Sequence, residues 1–290
     1  MKKYRKLLSH RGRFMNQRIP ELIQPTLQEY LSLVDHQIPD FIKAFYVEGS
    51  IALGGFNEQF SDIDFVALLS RRPTHTEFAA LRNIHKVIGK KYPRWKMSGS
   101  YLQSDDLDRG SNRIKASSCY EGRLRAQGQF DWNWVAGWIL KNHGIAIIGP
   151  EPQAIPVTID WNQLIKRMRK NLNSYWAGWT RRPDAIGRMM FDWGIQWAVL
   201  GILRQFFSFR ENAITTKTKA GEYALTCVPN HWHGLIQEAL DIRGRTRASA
   251  YRVSVLRTME AVRFLKFIIQ TCNSPLAGSS NSFQLDCLPQ

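Results

Sequence analysis

Asp62 and Asp64 stand two positions apart at the head of an apolar run, Ile63 to Leu69, and that spacing constrains the chain more than any other feature. The run is short, rich in aliphatic residues and closed by Arg71, Arg72 and Pro73, so it reads as a strand. Alternate residues of a strand face opposite ways. Both carboxylates therefore project from one face, and Ile63 and Phe65 from the other. Two such carboxylates repel unless a cation lies between them, and hard oxygen donors on a rigid strand suit magnesium, which completes its octahedron with water and phosphate oxygens. Asp62 and Asp64 are thus the candidate catalytic residues and metal ligands. Upstream, Phe41 to Val47 reads as a second strand ending at Gly49 and Ser50, where backbone N–H groups and the Ser50 hydroxyl could cradle a triphosphate.

The surrounding pattern alternates. Ile19 to Val34 reads as a helix with Pro25 in its first turn, and Thr76 to Ile88 as another, with Glu77 near its positive end. Lys96 to Leu102 is a third, weaker strand. Trp132 to Asn142 reads as a helix closed at His143-Gly144, with Gly144 as a left-handed cap, and Ile145 to Ile148 as a short strand. Beyond Gly149-Pro150-Glu151-Pro152 only helices are expected: Asn162 to Trp179, Ala185 to Phe209, Thr218 to Thr226, His231 to Asp241 and Ala248 to Thr271. The fold class is therefore α+β. A mixed sheet with flanking helices is expected over residues 1–156, an all-helical domain over 157–272, and a disordered tail over 273–290.

Composition narrows the setting. The chain has 290 residues, 44% of them hydrophobic, which is enough for two modest cores. No secretory signal or run of ~20 apolar residues is present, which points to a cytoplasmic protein without a membrane anchor. Cys119, Cys227, Cys272 and Cys287 are widely spaced and read as free thiols. The formal net charge is +16, with Lys2, Lys3, Arg5, Lys6, Arg11, Arg13 and Arg18 in one cluster and Arg243, Arg245, Arg247, Arg252, Arg257, Arg263 and Lys266 in another. Such patches attract nucleotides or nucleic acid, or serve only as solvated faces. Ten tryptophans are present, and those at helical spacing, including Trp132, Trp134, Trp138, Trp176, Trp179, Trp193 and Trp197, read as core.

The stretch YVEGSIALGGFNEQFSDIDFVALL, residues 46–69, resembles the nucleotidyltransferases of the DNA polymerase β superfamily. HGIAIIGPEP (143–152) and ITTKTKAGEYALTCVPNHWHGLIQEAL (214–240) resemble segments of the aminoglycoside adenylyltransferases acting on streptomycin and spectinomycin. The resemblance implies an antibiotic-resistance enzyme, expected to be monomeric, that moves AMP from ATP to a hydroxyl of an aminoglycoside with Mg²⁺. By alignment, Arg204 and Lys217 match the family's Arg and Lys that reach ATP across an interdomain cleft. They join Gly49, Ser50, Asp62 and Asp64 as the nucleotide-binding set. Two departures stand out. Ser98 occupies the place of the family's third-strand glutamate base, with Asp105 and Asp106 as substitutes, and Asp184 and Asp192 are offset from the family's acidic residues for cationic drugs. Transfer to another acceptor, such as a nucleic acid end or a protein hydroxyl, stays open. So does a catalytically silent nucleotide- or nucleic-acid-binding module.

Overall fold

The computed structural model describes residues 16–108, 113–131, 133–156, 158–246, 251 and 253–274. The basic arm up to Arg13, Trp132, Arg247, Arg252, Cys287, the start expected for the last helix and nearly all of the expected tail lie outside these residues. The chain divides into two compact units between Ile159 and Asp160.

In unit 1 the order is α1 (Gln24–Gln37), β1 (Ile42–Val47), α2 (Gly49–Ala52), β2 (Ile63–Leu69), α3 (His75–Lys91), β3 (Met97–Leu102), α4 (Ser104–Asp108), β4 (Arg113–Tyr120), β5 (Arg123–Asp131), α5 (Trp134–His143) and β6 (Ile145–Ile148). The strands form one mixed sheet, β5-β4-β3-β2-β1-β6, in which β2 and β3 are parallel and the other pairs antiparallel. Parallel neighbours need a crossover, and α3 supplies it. Its start is encoded locally: Thr74 accepts from the Glu77 N–H while the Glu77 side chain accepts from the Thr74 N–H, a reciprocal cap.

The β4–β5 hairpin was not expected from the sequence. It turns on Glu121 and Gly122, both at positive φ (47° and 78°), the geometry of a two-residue hairpin turn. A Glu-Gly pair is a weaker signal for that turn than Asn-Gly or Asp-Gly, and the flanking residues do not alternate cleanly. Gly144 is also a correction. It is extended (φ −48°, ψ 153°), and glycine is required there because a Cβ would lie 2.4 Å from the Leu140 carbonyl oxygen.

The sheet has two unlike faces. On one, Ala44, Tyr46, Val66, Leu68, Leu102, Leu140 and Ile155 form a buried cluster. On the other, Tyr30, Phe45, Phe65, His85 and Tyr101 pack ring against ring. This second face carries a buried polar chain with a single consistent direction. The Cys119 thiol donates to the Met97 carbonyl (3.4 Å), so its sulfur accepts from His85 Nδ1–H (3.6 Å). His85 Nε2 then accepts from the Tyr101 hydroxyl (2.5 Å), whose oxygen accepts from Tyr30.

In unit 2, α6 (Trp161–Asn171) passes through a π turn, Leu172–Trp176, into α7 (Ala177–Trp179). α8 (Pro183–Arg188), α9 (Asp192–Glu211), α10 (Lys217–Ala224), α11 (His233–Gly244) and α12 (Ser254–Asn273) follow. The single helix expected over Ala185 to Phe209 is in fact two, broken after Arg188, and Gly194 at the head of α9 allows the close return of the chain, since a Cβ there would meet the Arg188 carbonyl oxygen at 1.9 Å. α9 is the central helix. It buries residues on every side, and α10, α11 and α12 all pack on it. Trp176 inserts against Gly201, where a Cβ would come within 2.3 Å of the indole. Among the described residues no helix is long and apolar enough to cross a membrane.

Burial lowers the pKa of His85 from 6.5 to about 4, since the charged imidazolium is poorly solvated there. The unfolded chain therefore binds a proton first as pH falls. The stabilisation is complete above pH 6.5 and is lost progressively down to about pH 4, by about 3 kcal/mol in all. Urea unfolding between pH 7 and pH 4 should follow that curve in the parent, and His85→Gln, less stable at pH 7, should show a flatter dependence across the same window.

Candidate active site

Asp64 lies inside β2, on the face of Val66 and Leu68, while Ile63 and Phe65 are fully buried on the other face. Asp62 immediately precedes the strand. Across the ladder, Val47 pairs with Phe65, and the next residue, Glu48, donates its N–H to the Asp64 carbonyl (3.0 Å). That bond delivers the chain directly above Asp64, where Gly49 takes φ +62°. A Cβ on Gly49 would lie 2.0 Å from Asp64 Oδ2. Glycine is thus required twice, by its backbone angle and by the closeness of the carboxylate.

Ser50 follows in the first turn of α2. Its hydroxyl donates to Ser61 Oγ (3.0 Å), which also accepts the Asn57 N–H (2.9 Å). Ser61 is buried and fastens the loop before Asp62 to the Gly-Ser turn. Ser61 was not among the expected site residues, and its only signal in the sequence is its place directly before Asp62. The same loop end carries Arg94, whose guanidinium lies 4.7 Å from the Trp95 ring and donates to the Ser61 carbonyl (3.4 Å), and Phe56 beside Trp95 (5.7 Å).

On β3, Ser98 is the registered partner of Asp64, so their side chains share a face. The Ser98 hydroxyl oxygen accepts the Glu121 N–H (3.0 Å) and is buried. Asp105 and Asp106 are not near it. They follow the far end of β3, roughly 15–20 Å along the strand from the end that carries Asp62 and Asp64. Asp106 is a structural residue there, paired with Arg72 (2.6 Å) and accepting the Gln103 N–H (2.8 Å). Neither substitutes for a carboxylate at Ser98.

In unit 2, Arg204 lies on α9 and Lys217 at the start of α10, where Thr216 caps the helix by accepting the Lys219 N–H. Lys217 Nζ sits 4.1 Å from the centroid of the Trp197 ring, and Trp197 and Arg204 are seven residues apart on α9, on one face. Burial, and then the charge of Arg204, lower the pKa of Arg243. Cations are therefore concentrated on this side of the helix. The acids weighed for cationic ligands are engaged: Asp184 with Arg182 (2.6 Å) and Arg188 (3.9 Å), and Asp192 with Arg257 (2.7 Å).

Comparison with known proteins bears on both units. Residues 161–266 match the family model described as aminoglycoside adenylyltransferase, C-terminal domain. Among solved structures, the chain is similar to spectinomycin adenyltransferase AAD(9) from Enterococcus faecialis, crystallised with ATP and spectinomycin. The TM-score is 0.62 at 14% identity, covering 83% of this chain and 98% of that one. That likeness is one of fold. No curated protein sequence matches the chain.

The contact between Gly49 and Asp64 can be tested by a double substitution. Gly49→Ala should destabilise unit 1 by about 3 kcal/mol, combining positive-φ strain of about 1 kcal/mol with the clash. In an Asp64→Ala background the cost should fall, because the carboxylate at 2.0 Å is gone and only the strain and a milder contact with the residue-64 Cβ at 2.9 Å remain. Equal costs in both backgrounds, measured by urea unfolding, would mean that the two residues do not press on each other.

Proposed function

We propose that this chain, whose residues 161–266 belong with the aminoglycoside adenylyltransferase C-terminal domains, transfers AMP from ATP to a hydroxyl of an aminoglycoside. The observation that carries the reading is the coincidence of that match with an acidic strand in the other unit, Asp62 and Asp64 beneath a Gly-Ser turn. The solved relative binds ATP and spectinomycin.

Asp62 and Asp64 are the residues that would hold Mg²⁺. The fit rests on donor chemistry and on space: two hard carboxylates, and a glycine cradle over Asp64 that any side chain would fill. When bound, the metal supplies charge to the α-phosphate and to the leaving pyrophosphate. The chain's own contributions are positional. Gly49 and Ser50 set the turn that faces the triphosphate, with Ser61 fixing the Ser50 hydroxyl. By their alignment with the family, Arg204 and Lys217 are the residues that would neutralise phosphate charge. An acceptor hydroxyl attacks the α-phosphorus in line, its proton leaves, and pyrophosphate departs.

A second reading has one specific observation behind it. Ser98, beside Asp64, presents no carboxylate, and its oxygen is already occupied by the Glu121 N–H. On this reading the chain binds ATP and transfers AMP slowly or not at all, since a general base contributes ~10² to 10⁴-fold.

Pyrophosphate release from ATP with an aminoglycoside panel separates the two readings, and mass spectrometry identifies the adenylylated product. Asp62→Asn and Asp64→Asn are each expected to lower release at least ~10³-fold while leaving the fold intact. Full turnover in either variant would remove the proposed site. Arg204→Met and Lys217→Met are expected to weaken ATP binding in calorimetry and to leave acceptor binding unchanged. Ser98→Glu is expected to raise the rate if proton removal limits the parent, with Ser100→Glu, one step along the same face, as the control.

A further inference from the structure

On the face of the sheet opposite Asp64, unit 1 holds a cavity of about 130 Å³. It lies between the end of α3, the loop that follows it, the first residue of β3 and the turn of the β4–β5 hairpin. Ile88 and Met97 are buried apolar walls, and Tyr92 and Trp95 add aromatic ones. His85 also lines the cavity, but both its ring nitrogens are engaged, with Cys119 and Tyr101. The Tyr92 hydroxyl is likewise committed, donating to Glu29 (2.8 Å).

The surrounding backbone is bonded to itself. The Ile88 carbonyl accepts the Tyr92 N–H (2.8 Å), the Tyr92 carbonyl the Trp95 N–H (3.0 Å), and the Met97 carbonyl the Gly122 N–H (2.7 Å). Water entering would give up hydrogen bonds and find few in return, so the cavity suits an apolar occupant. Its volume is of the right order, since an engineered apolar cavity of about 150 Å³ takes up benzene. Two features set it apart from a packing gap. Gly89 weakens the last turns of α3 although no neighbour demands a glycine, since a Cβ there would meet nothing within 4 Å. Lys96 and Glu121, both about half exposed, pair at the rim (3.0 Å), and a surface ion pair opens at little cost.

The same walls are bonded directly to the acidic strand. The Lys96 carbonyl accepts the N–H of Ile63, the residue between the two aspartates (2.8 Å). The Glu121 N–H donates to Ser98, the registered partner of Asp64 (3.0 Å), and Arg94, next to Trp95, donates to the carbonyl of Ser61 (3.4 Å). We propose that this cavity is a binding site for a neutral ring of about the size of benzene, an effector that acts on Asp62 and Asp64 through the start of β3 and the hairpin turn. The site stands whether or not the chain transfers AMP.

The test uses the full chain with benzene as the probe and naphthalene as a ring too large for the space. Saturating benzene is expected to raise the melting temperature by about 2 °C, and naphthalene to leave it unchanged. In amide spectra, benzene should shift Gly89 and Gly122, which line the cavity, together with Ile63 and Glu121, whose N–H groups carry its walls to the strand. Two variants fill the space: Gly89→Leu, expected to fold because helix and packing both allow it, and Ile88→Phe as a second. Each should abolish the response to benzene. No benzene response in the parent, equal responses to the two rings, or a benzene response retained in both variants would overturn the proposal. Shifts at Gly89 and Gly122 that leave Ile63 and Glu121 unmoved would overturn the link to the aspartates.

Discussion

Between Gly49 and Asp64 there is no room for a methyl group, and the arrangement of the acidic strand follows from that. The Glu48 N–H bond to the Asp64 carbonyl brings the end of β1 onto the start of β2, and the positive φ of Gly49 turns the chain over the carboxylate instead of away from it. A larger residue would lift the Gly-Ser turn off the strand. With the turn goes Ser50, and through Ser61 the loop that leads to Asp62. One close approach therefore sets two carboxylates, a hydroxyl and a helix start in fixed relation, by backbone geometry more than by side-chain packing.

A strand can hold two carboxylates at its head only if its other face is firmly anchored. Ile63 and Phe65 supply the anchor, lying in a layer of rings with Tyr30, Phe45, His85 and Tyr101. The polar atoms of that layer would be costly if left unmade, and they satisfy one another in sequence from Tyr30 to the Met97 carbonyl. That chain needs neutral imidazole, so the same burial that rigidifies the strand makes this layer sensitive to acid.

The high positive charge is distributed less simply than its sum suggests. Arg18 donates to the carbonyls of Ala52 (2.8 Å) and His143 (2.7 Å), at the C-terminal ends of α2 and α5, where the helix dipoles favour a cation. Arg257 is buried between Glu238 (2.9 Å) and Asp192 (2.7 Å) and also donates to the Met190 carbonyl (3.2 Å). Arg243 is buried as well. These arginines hold helix ends and the interior of unit 2 together, and they are not part of a solvated basic face. Arg263 and Lys266 on α12 do remain exposed.

Much was legible in the sequence because it is written in local periodicity. The alternation from Ile63 to Leu69 put Asp64 and its core-facing neighbours on opposite faces, and Thr74 with Glu77 encoded the start of α3 within four residues. The change from strands with helices to helices alone was visible for the same reason. Other features depend on residues far apart in the chain. Sequence alone could not reveal that Asp106 is committed to Arg72, or Asp192 to Arg257, because those partners lie 34 and 65 residues away and meet only in the folded chain. Nor could helical spacing separate Trp176, pressed into the gap at Gly201, from Trp193, left facing solvent, since both recur at intervals that suit a core. The sequence by itself determined which residues carry charge, where β1, β2, β3 and most helices lie, and that Asp64 faces away from Ile63 and Phe65. Tertiary structure decided which of those charges are already neutralised and which aromatic faces are left open, because both depend on what the fold packs against them.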